Sequence, residues 1–438
     1  MTATMTADAV PANGRMLPAL SESRFARFAT IIILYFLQGV PSGLSTIAIP
    51  AWLAANGATP IQVGAFVATA LLPWSTKLLN GLVMDRFAYK PMGRRRAWIL
   101  FAQMAMALTF VTMALAAPSA TQIATLAAFC FALNLCATFN DVAVDGMTVD
   151  IVPDSERTAI NSCMFAAQST GIAASAFIAG QLLSSGSLAT TALILAALVA
   201  VASVFVSVFR ERPGEKLMPW SSGKASIQCE QRQHSAWRPI VAGVFKAVAA
   251  RRTILFLAGM GMLQVTFAFL DVVSPTLAVQ QLNWNSADYS SLVAGASLVA
   301  AGAALFLPTL LVHFMGIAIT IRILSLTLVC LGLIGAVIFS FAPGDTAFVL
   351  ILAGQEVFAL LLMIVLLVWA MRICEPAVAA SLFALFMAVP NFARSALSGT
   401  LGWIVDTNGY PAAFLAVAGL TLAGLALLLL ARVGNEKV

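Results

Sequence analysis

Charge is scarce in this chain: only 10% of its 438 residues are Asp, Glu, Lys or Arg, against roughly a quarter in soluble domains. A water-soluble fold of this length would lack the polar residues to cover its surface. Histidine is nearly absent, with 2 residues, His234 and His313, both in predicted loops. No His, Cys and carboxylate spacing suits a metal, so neither a metal nor another cofactor is implied. The 6 cysteines, Cys130, Cys136, Cys163, Cys229, Cys330 and Cys374, form no CxxC pair, and five lie in or at the edge of apolar runs, so a disulfide framework is not implied either. No GxxxxGK[ST] phosphate loop occurs, which argues against ATP drive within the chain. No nucleophile–base spacing points to an enzyme.

What is present is apolar: 61% of residues. They fall into twelve runs, at about 28–52, 61–84, 97–117, 121–149, 158–184, 188–209, 253–281, 288–312, 317–341, 346–372, 377–405 and 410–432, each able to supply the ~20 residues that cross a bilayer. All but two of the 24 Lys and Arg, Lys77 and Arg394, lie in the termini, in the even-numbered connections or at the ends of the runs that border them. Positive loops stay in the cytoplasm, so both termini are predicted inside. Arg24 and Arg27 precede the first run as in a signal peptide, but that run is long and eleven follow, which predicts a retained helix. The net charge of +6 follows from this sorting and is no sign of a nucleic-acid partner; the basic loops would meet anionic lipid headgroups.

The predicted organisation is a cytoplasmic tail 1–26, a six-helix bundle 27–209, a basic linker 210–252, a second six-helix bundle 253–432 and a tail 433–438. The linker reads as solvated, with a stretch from Trp237 to Arg252 suited to lie on the membrane surface. An offset of 226 places Leu37-Gln38 over Leu263-Gln264 and Gln168 over Arg394. Weak internal repeats of this kind mark many secondary transporters.

Charges inside apolar runs are costly and usually have a role. At about 1.5 Å of rise per residue, Lys77 and Asp141 reach one depth, and Asp271 and Arg394 another. Two interior ion pairs are therefore predicted, structural or cavity-lining on the sequence alone. Asp145 lies one turn from Asp141 on the same helix face. Glu356 falls near the midplane with no cation evident at its depth. A buried carboxylate sheds its desolvation cost by binding a proton, which makes Glu356 and Asp141 the candidate coupling groups. Tyr35, Gln38, Trp74, Asn134, Asn140, Gln168, Gln264, Gln355 and Trp369 are candidate cavity residues, suited to an amphipathic solute or to packing between helices.

After the second run the chain reads Gly81, Asp85-Arg86, then Gly93-Arg94-Arg95-Arg96. A carboxylate at a helix C-terminus needs a cation nearby, and these arginines, together with Asp145 and Asp150, make a charge cluster. The pattern resembles the loop signature of the major facilitator superfamily. With Trp74-Ser75-Thr76-Lys77, and with Asn140-Asp141 through Asp145-Gly146, Asp150, Pro153 and Arg157, it is similar to the branch of bacterial muropeptide permeases and acetyl-CoA transporters. The resemblance extends over about residues 30–180.

It implies an all-α membrane protein with twelve transmembrane helices in two six-helix bundles. It also implies a cytoplasmic latch made of Gly81, Asp85, Arg86, Gly93, Arg94, Arg95, Arg96, Asp145 and Asp150. The implied activity is alternating-access import of a polar or amphipathic small molecule such as a muropeptide. A proton gradient would drive it across a bacterial inner membrane, with the protein working as a monomer. Import of a ferric siderophore and efflux of a drug or metabolite are the alternatives within the fold; a channel or a transport-dead sensor lies further off.

Overall fold

The computed structural model describes residues 18–231, 250–373 and 379–431. The tail ends, His234, Cys374 and nearly all of the predicted surface helix from Trp237 lie outside the described residues.

Lipid offers the backbone no hydrogen bonds, so each apolar run satisfies its own as a helix. Six helices make the first bundle: α1 (Arg24–Ala55), α2 (60–86), α3 (Arg96–Ala116), α4 (Ile123–Ile151), α5 (Arg157–Ser184) and α6 (Leu188–Ser207). The second bundle opens with α7 (Arg251–Gln281). The next run, Ser286–Phe341, is 56 residues, about 84 Å of continuous helix at 1.5 Å per residue and far more than a bilayer needs. It breaks at Gly316, whose φ of 76° and ψ of 161° leave the helical region, so it is two crossings, α8 (286–315) and α9 (317–341). A residue with a Cβ strongly resists that φ. The helices α10 (Asp345–Ile373), α11 (Ala379–Asn408) and α12 (Tyr410–Leu430) follow. Among the described residues, nine helices are long and apolar enough to cross a membrane. Counting Ser286–Phe341 as two, and adding the interrupted α2 and the more polar α11, fits the twelve predicted crossings, with edges within a few residues of the hydropathy reading.

Local chemistry sets the ends and the breaks. Ser23 Oγ accepts from Ala26 N at 3.3 Å and starts α1. Thr59 and Gln62 form a reciprocal capping box at the start of α2, each satisfying an amide that the first turn leaves open. Pro41 in α1 and Pro275 in α7 are each followed by a widened π turn, Leu44–Ala48 and Leu277–Gln281. Proline lacks the N–H its helix needs, and the two first helices of the halves accommodate it alike. In α2 a 3-10 turn at Leu72–Thr76 interrupts the helix immediately before Lys77.

The halves meet through α1 with α7, α2 with α11, and α5 with α8. They are tied at the face opposite the basic loops. Gln280 Nε2 donates to the carbonyls of Ala54 at 3.1 Å and Ala58 at 2.8 Å. Gln181 donates to Ser291 at 3.0 Å, and Asp406 accepts from Ile61 N at 3.1 Å. Gly64 allows the backbones there to touch: a Cβ would fall 2.6 Å from Ser398 O. Within the first half Gly39 does the same for α1 on α5, where a Cβ would collide with the carbonyl of Gln168. Close approach, rather than bending, is what that glycine provides.

Candidate functional site

Along α4, Asn134, Thr138, Asp141 and Asp145 recur at steps of four, three and four, which lines them on one helix face. That face meets α1 and α2. Trp74 Nε1 donates to Asn134 Oδ1 at 2.8 Å, and Asn134 Nδ2 donates to Ser45 Oγ at 3.0 Å. Asn80 Nδ2 donates to Thr138 Oγ1 at 3.0 Å. Lys77, placed by the 3-10 break, brings its Nζ to 2.5 Å from Asp141 Oδ2 and 4.9 Å from the centre of the Trp74 ring. Gln38 donates to the other oxygen of Asp141. Tyr35 donates its hydroxyl to Asp145.

The second half has a different centre. Arg394 on α11 grips Asp271 on α7 with two parallel bonds, Nε to Oδ2 and an Nη to Oδ1, each 2.7 Å. Its guanidinium also lies 5.1 Å from the centre of the Phe267 ring. The carboxylate is 5% exposed and the guanidinium side chain 25%. Glu356 on α10 is within electrostatic reach of both, which corrects the expectation that no cation stands at its depth. Among the described residues no side chain hydrogen-bonds Glu356. Tyr289 on α8 is buried, donates to Leu270 O at 3.2 Å and senses both carboxylates; sequence reasoning missed it, because an aromatic in a membrane helix reads as packing.

The basic face carries a third cluster. Gly93, with φ of 94°, turns the loop between α2 and α3 so that Arg95 N reaches Glu211 Oε2 at 3.4 Å. Glu211 is fully buried and accepts from Arg212 at 2.8 Å. Glu215, also buried, accepts from Arg212 N at 3.0 Å and from Ser226 Oγ at 2.7 Å. Arg212 donates to Asp150 O at 3.2 Å. The N-terminal segment joins through Leu20 N to Arg210 O at 2.9 Å, and Arg27 pairs with Glu156 at 2.6 Å. Burial, with the neighbouring Glu215 charge, pushes the Glu211 carboxyl up to about 7. The start of the linker is thus packed, not solvated.

The loop signature and the helices together find a match across most of the chain: the sequence model of the Major Facilitator Superfamily covers residues 31–398. The chain belongs to the Major Facilitator Superfamily. It is a multi-span membrane transporter and not an enzyme. The anhydromuropeptide permease of Escherichia coli (strain K12) is 29% identical over 133 residues, 30% of this chain and 27% of that protein, so the match spans about a quarter of the relative's length. The nucleoside transporter NupG superposes with a TM-score of 0.69 at 14% identity, covering 94% of this chain and 99% of that one. A POT family transporter in complex with 5-aminolevulinic acid gives 0.69 at 13%, covering 92% and 95%. At these identities the likeness shows the fold.

Within this major facilitator protein the predicted residues fall into three groups. Lys77 with Asp141, and Asp271 with Arg394, are brought together. The latch residues are only partly so. Asp145 turns to Tyr35 instead of to the arginines, because it shares the interior face of Asp141. Arg96 donates to the carbonyls of Ser207 and Leu217, capping the end of α6, where a cation is favoured. Arg95 lies over Gly146 of α4, where a Cβ would come 2.6 Å from its Nε. Arg94 is half-buried, Arg86 exposed, Gly81 half-buried against Val142, and the side chain of Asp85 lies outside the described residues.

Of the cavity candidates, Trp74 and Asn134 are spent on each other, and Trp369 packs in the second bundle's core 4.5 Å from the Phe256 ring. Asn140 is buried with its amide 3.4 Å from Leu34 O. Among the described residues, Gln264 donates to Met363 Sδ at 3.4 Å, and Gln355 is fully buried with neither amide atom bonded. Gln168 is half-buried on α5.

Proposed function

We propose that this transporter imports a polar or amphipathic solute, a muropeptide in the first instance, by alternating access coupled to a proton gradient. The basic face is assigned to the cytoplasm of a bacterial inner membrane from the sorting of Lys and Arg. The described conformation, tied at the opposite face, is then the inward-facing one. The observation that carries the coupling is that Glu356, within electrostatic reach of the Asp271–Arg394 pair, has no side-chain hydrogen bond among the described residues. In a low-dielectric interior such a group reaches neutrality by taking up one positive charge, and a proton supplies it. Asp141 is less suited, because Lys77 and Gln38 already occupy both its oxygens; Glu356 is the preferred coupling group. Muropeptide as solute is supported by the partial likeness to the anhydromuropeptide permease. Purified protein in liposomes, offered labelled N-acetylglucosaminyl-anhydro-muropeptide, is expected to accumulate it only under an inward proton gradient. Absence of uptake beside a working control permease would overturn the muropeptide assignment, and ferric siderophores would be tested next.

A further inference from the structure

The two partners of the second-half ion pair are not equally accessible. Asp271 is 5% exposed and Arg394 is 25% exposed, so a solute in the space between the bundles meets the guanidinium first. Arg394 lies at that boundary: its neighbour Ser395 donates to Ala68 O of α2, across the halves, at 2.6 Å. A guanidinium at membrane depth turns its open side to water rather than to lipid. Its planar fork of donors matches any carboxylate, and Asp271 already holds it in the bidentate geometry.

We propose that Arg394 is the anchor for a carboxylate of the solute, which takes the place of Asp271 on the guanidinium. This deepens the importer reading above and rests on it. The groups facing the site are Asp271 on α7, Tyr289 on α8, Glu356 on α10 and Arg394 itself on α11. A solute carboxylate adds a negative charge to a site that already holds two carboxylates and one guanidinium, and it releases Asp271 from its partner. The added charge is offset when Glu356, the coupling group, takes a proton from water. Binding of an acid and uptake of a proton are then one event. The Phe267 ring under the guanidinium holds its plane while the partner changes. Lys77 does not offer the same chance: its side chain is 10% exposed, and a point charge lacks the fork.

The test is binding in weakly buffered detergent solution, with a pH indicator as second readout. The probes are the muropeptide free acid and the same compound with its carboxylates converted to methyl amides. The acid is expected to bind with uptake of about one proton per solute, by linkage, and the amide about tenfold more weakly or worse, for loss of a charge-assisted pair, without proton uptake. Arg394→Lys, which keeps the charge and removes the fork, is expected to lose most of the preference for the acid; the acid–amide comparison on the unaltered protein stands even if a variant does not fold. Equal binding of acid and amide, or binding of the acid without a proton, overturns this inference and leaves the importer reading intact. Binding of neither compound overturns the muropeptide reading and this inference with it.

Discussion

In the first half Lys77 stands near two carboxylates, Asp141 and Asp145, and in the second Arg394 stands near Asp271 and Glu356. The balance of charge is the same; the hydrogen bonding is not. Asp141 accepts from Gln38, Asp145 accepts from Tyr35, and the Trp74–Asn134–Ser45 chain continues the network along α4. In the second half, among the described residues, Asp271 has only Arg394, Gln264 reaches only a thioether sulfur, and Gln355 is buried without a partner. Among the described residues, buried polar atoms without a partner occur in both halves, Gln38 Oε1 and Asn140 Oδ1 in the first and the Gln355 amide in the second, but a carboxylate held by a side-chain hydrogen bond as well as a cation resists rearrangement more than one held by the cation alone. Two halves with the same charges can therefore serve different ends. The first is built to hold its shape and the second to change partners.

Removing one partner of each pair is the strongest way to break the comparison. Arg394→Leu and Lys77→Leu should each destabilise the protein by about 3–5 kcal/mol, the cost of a buried charge left alone. The double change Asp271→Leu with Arg394→Leu should recover most of that loss. The double change Lys77→Leu with Asp141→Leu should recover less, since Gln38, Tyr35 and Asp145 keep their polar groups without a centre. Thermal melts in detergent measure both cycles; equal recovery would erase the distinction between the halves.

A gentler version uses the aligned glutamines. Gln38→Leu removes a bond to a charged acceptor and should cost about 1.5–3 kcal/mol. Gln264→Leu loses a contact with Met363 only and should cost about 1 kcal/mol or less by the same measure. Similar melting shifts for the two would contradict the reading that hydrogen bonds to the carboxylates set the first-half centre apart.

The smallest effect concerns pH, and it should appear on the first half, because the packed start of the linker lies against the loop after α2. Glu211 has an ordinary carboxyl value of 4.5 when free and about 7 in the cluster. A raised value means that the packed state binds a proton the released state does not, so packing is favoured below that window and weakens as pH rises from 4.5 through 7. Cleavage of the 210–231 segment by added protease should therefore be faster at about pH 8 than at about pH 6. Glu211→Gln should reduce the dependence, leaving the part that Glu215, also raised by burial, contributes in the same direction; a dependence of unchanged size would assign it to another group.

Much of the fold was legible in the residues. Twelve apolar runs, the sorting of basic loops and a separation of crossings near Gly316 follow from the length and polarity that lipid demands, and lipid leaves few alternatives. Depth along a helix was enough to pair Lys77 with Asp141 and Asp271 with Arg394. The position of Asp145 was half legible: its spacing put it on the interior face, yet the nearby arginines suggested the loop. Glu211 and Glu215 were hidden because acids in a linker rich in Lys and Arg read as solvated until a fold buries them. Trp369, a cavity candidate in the sequence, packs in the core, and Tyr289 went unremarked, since hydropathy does not tell which side of a wholly apolar helix faces its own bundle's core.

The most direct test of the central claim, that coupling resides at the centre of the second half, is transport by Glu356→Gln in liposomes. Two modes are compared: exchange of labelled for unlabelled solute without a gradient, and accumulation under an inward proton gradient. Exchange is expected to persist, because binding and the conformational change survive, and accumulation is expected to vanish. Concentrative uptake at the rate of the unaltered protein would contradict the claim.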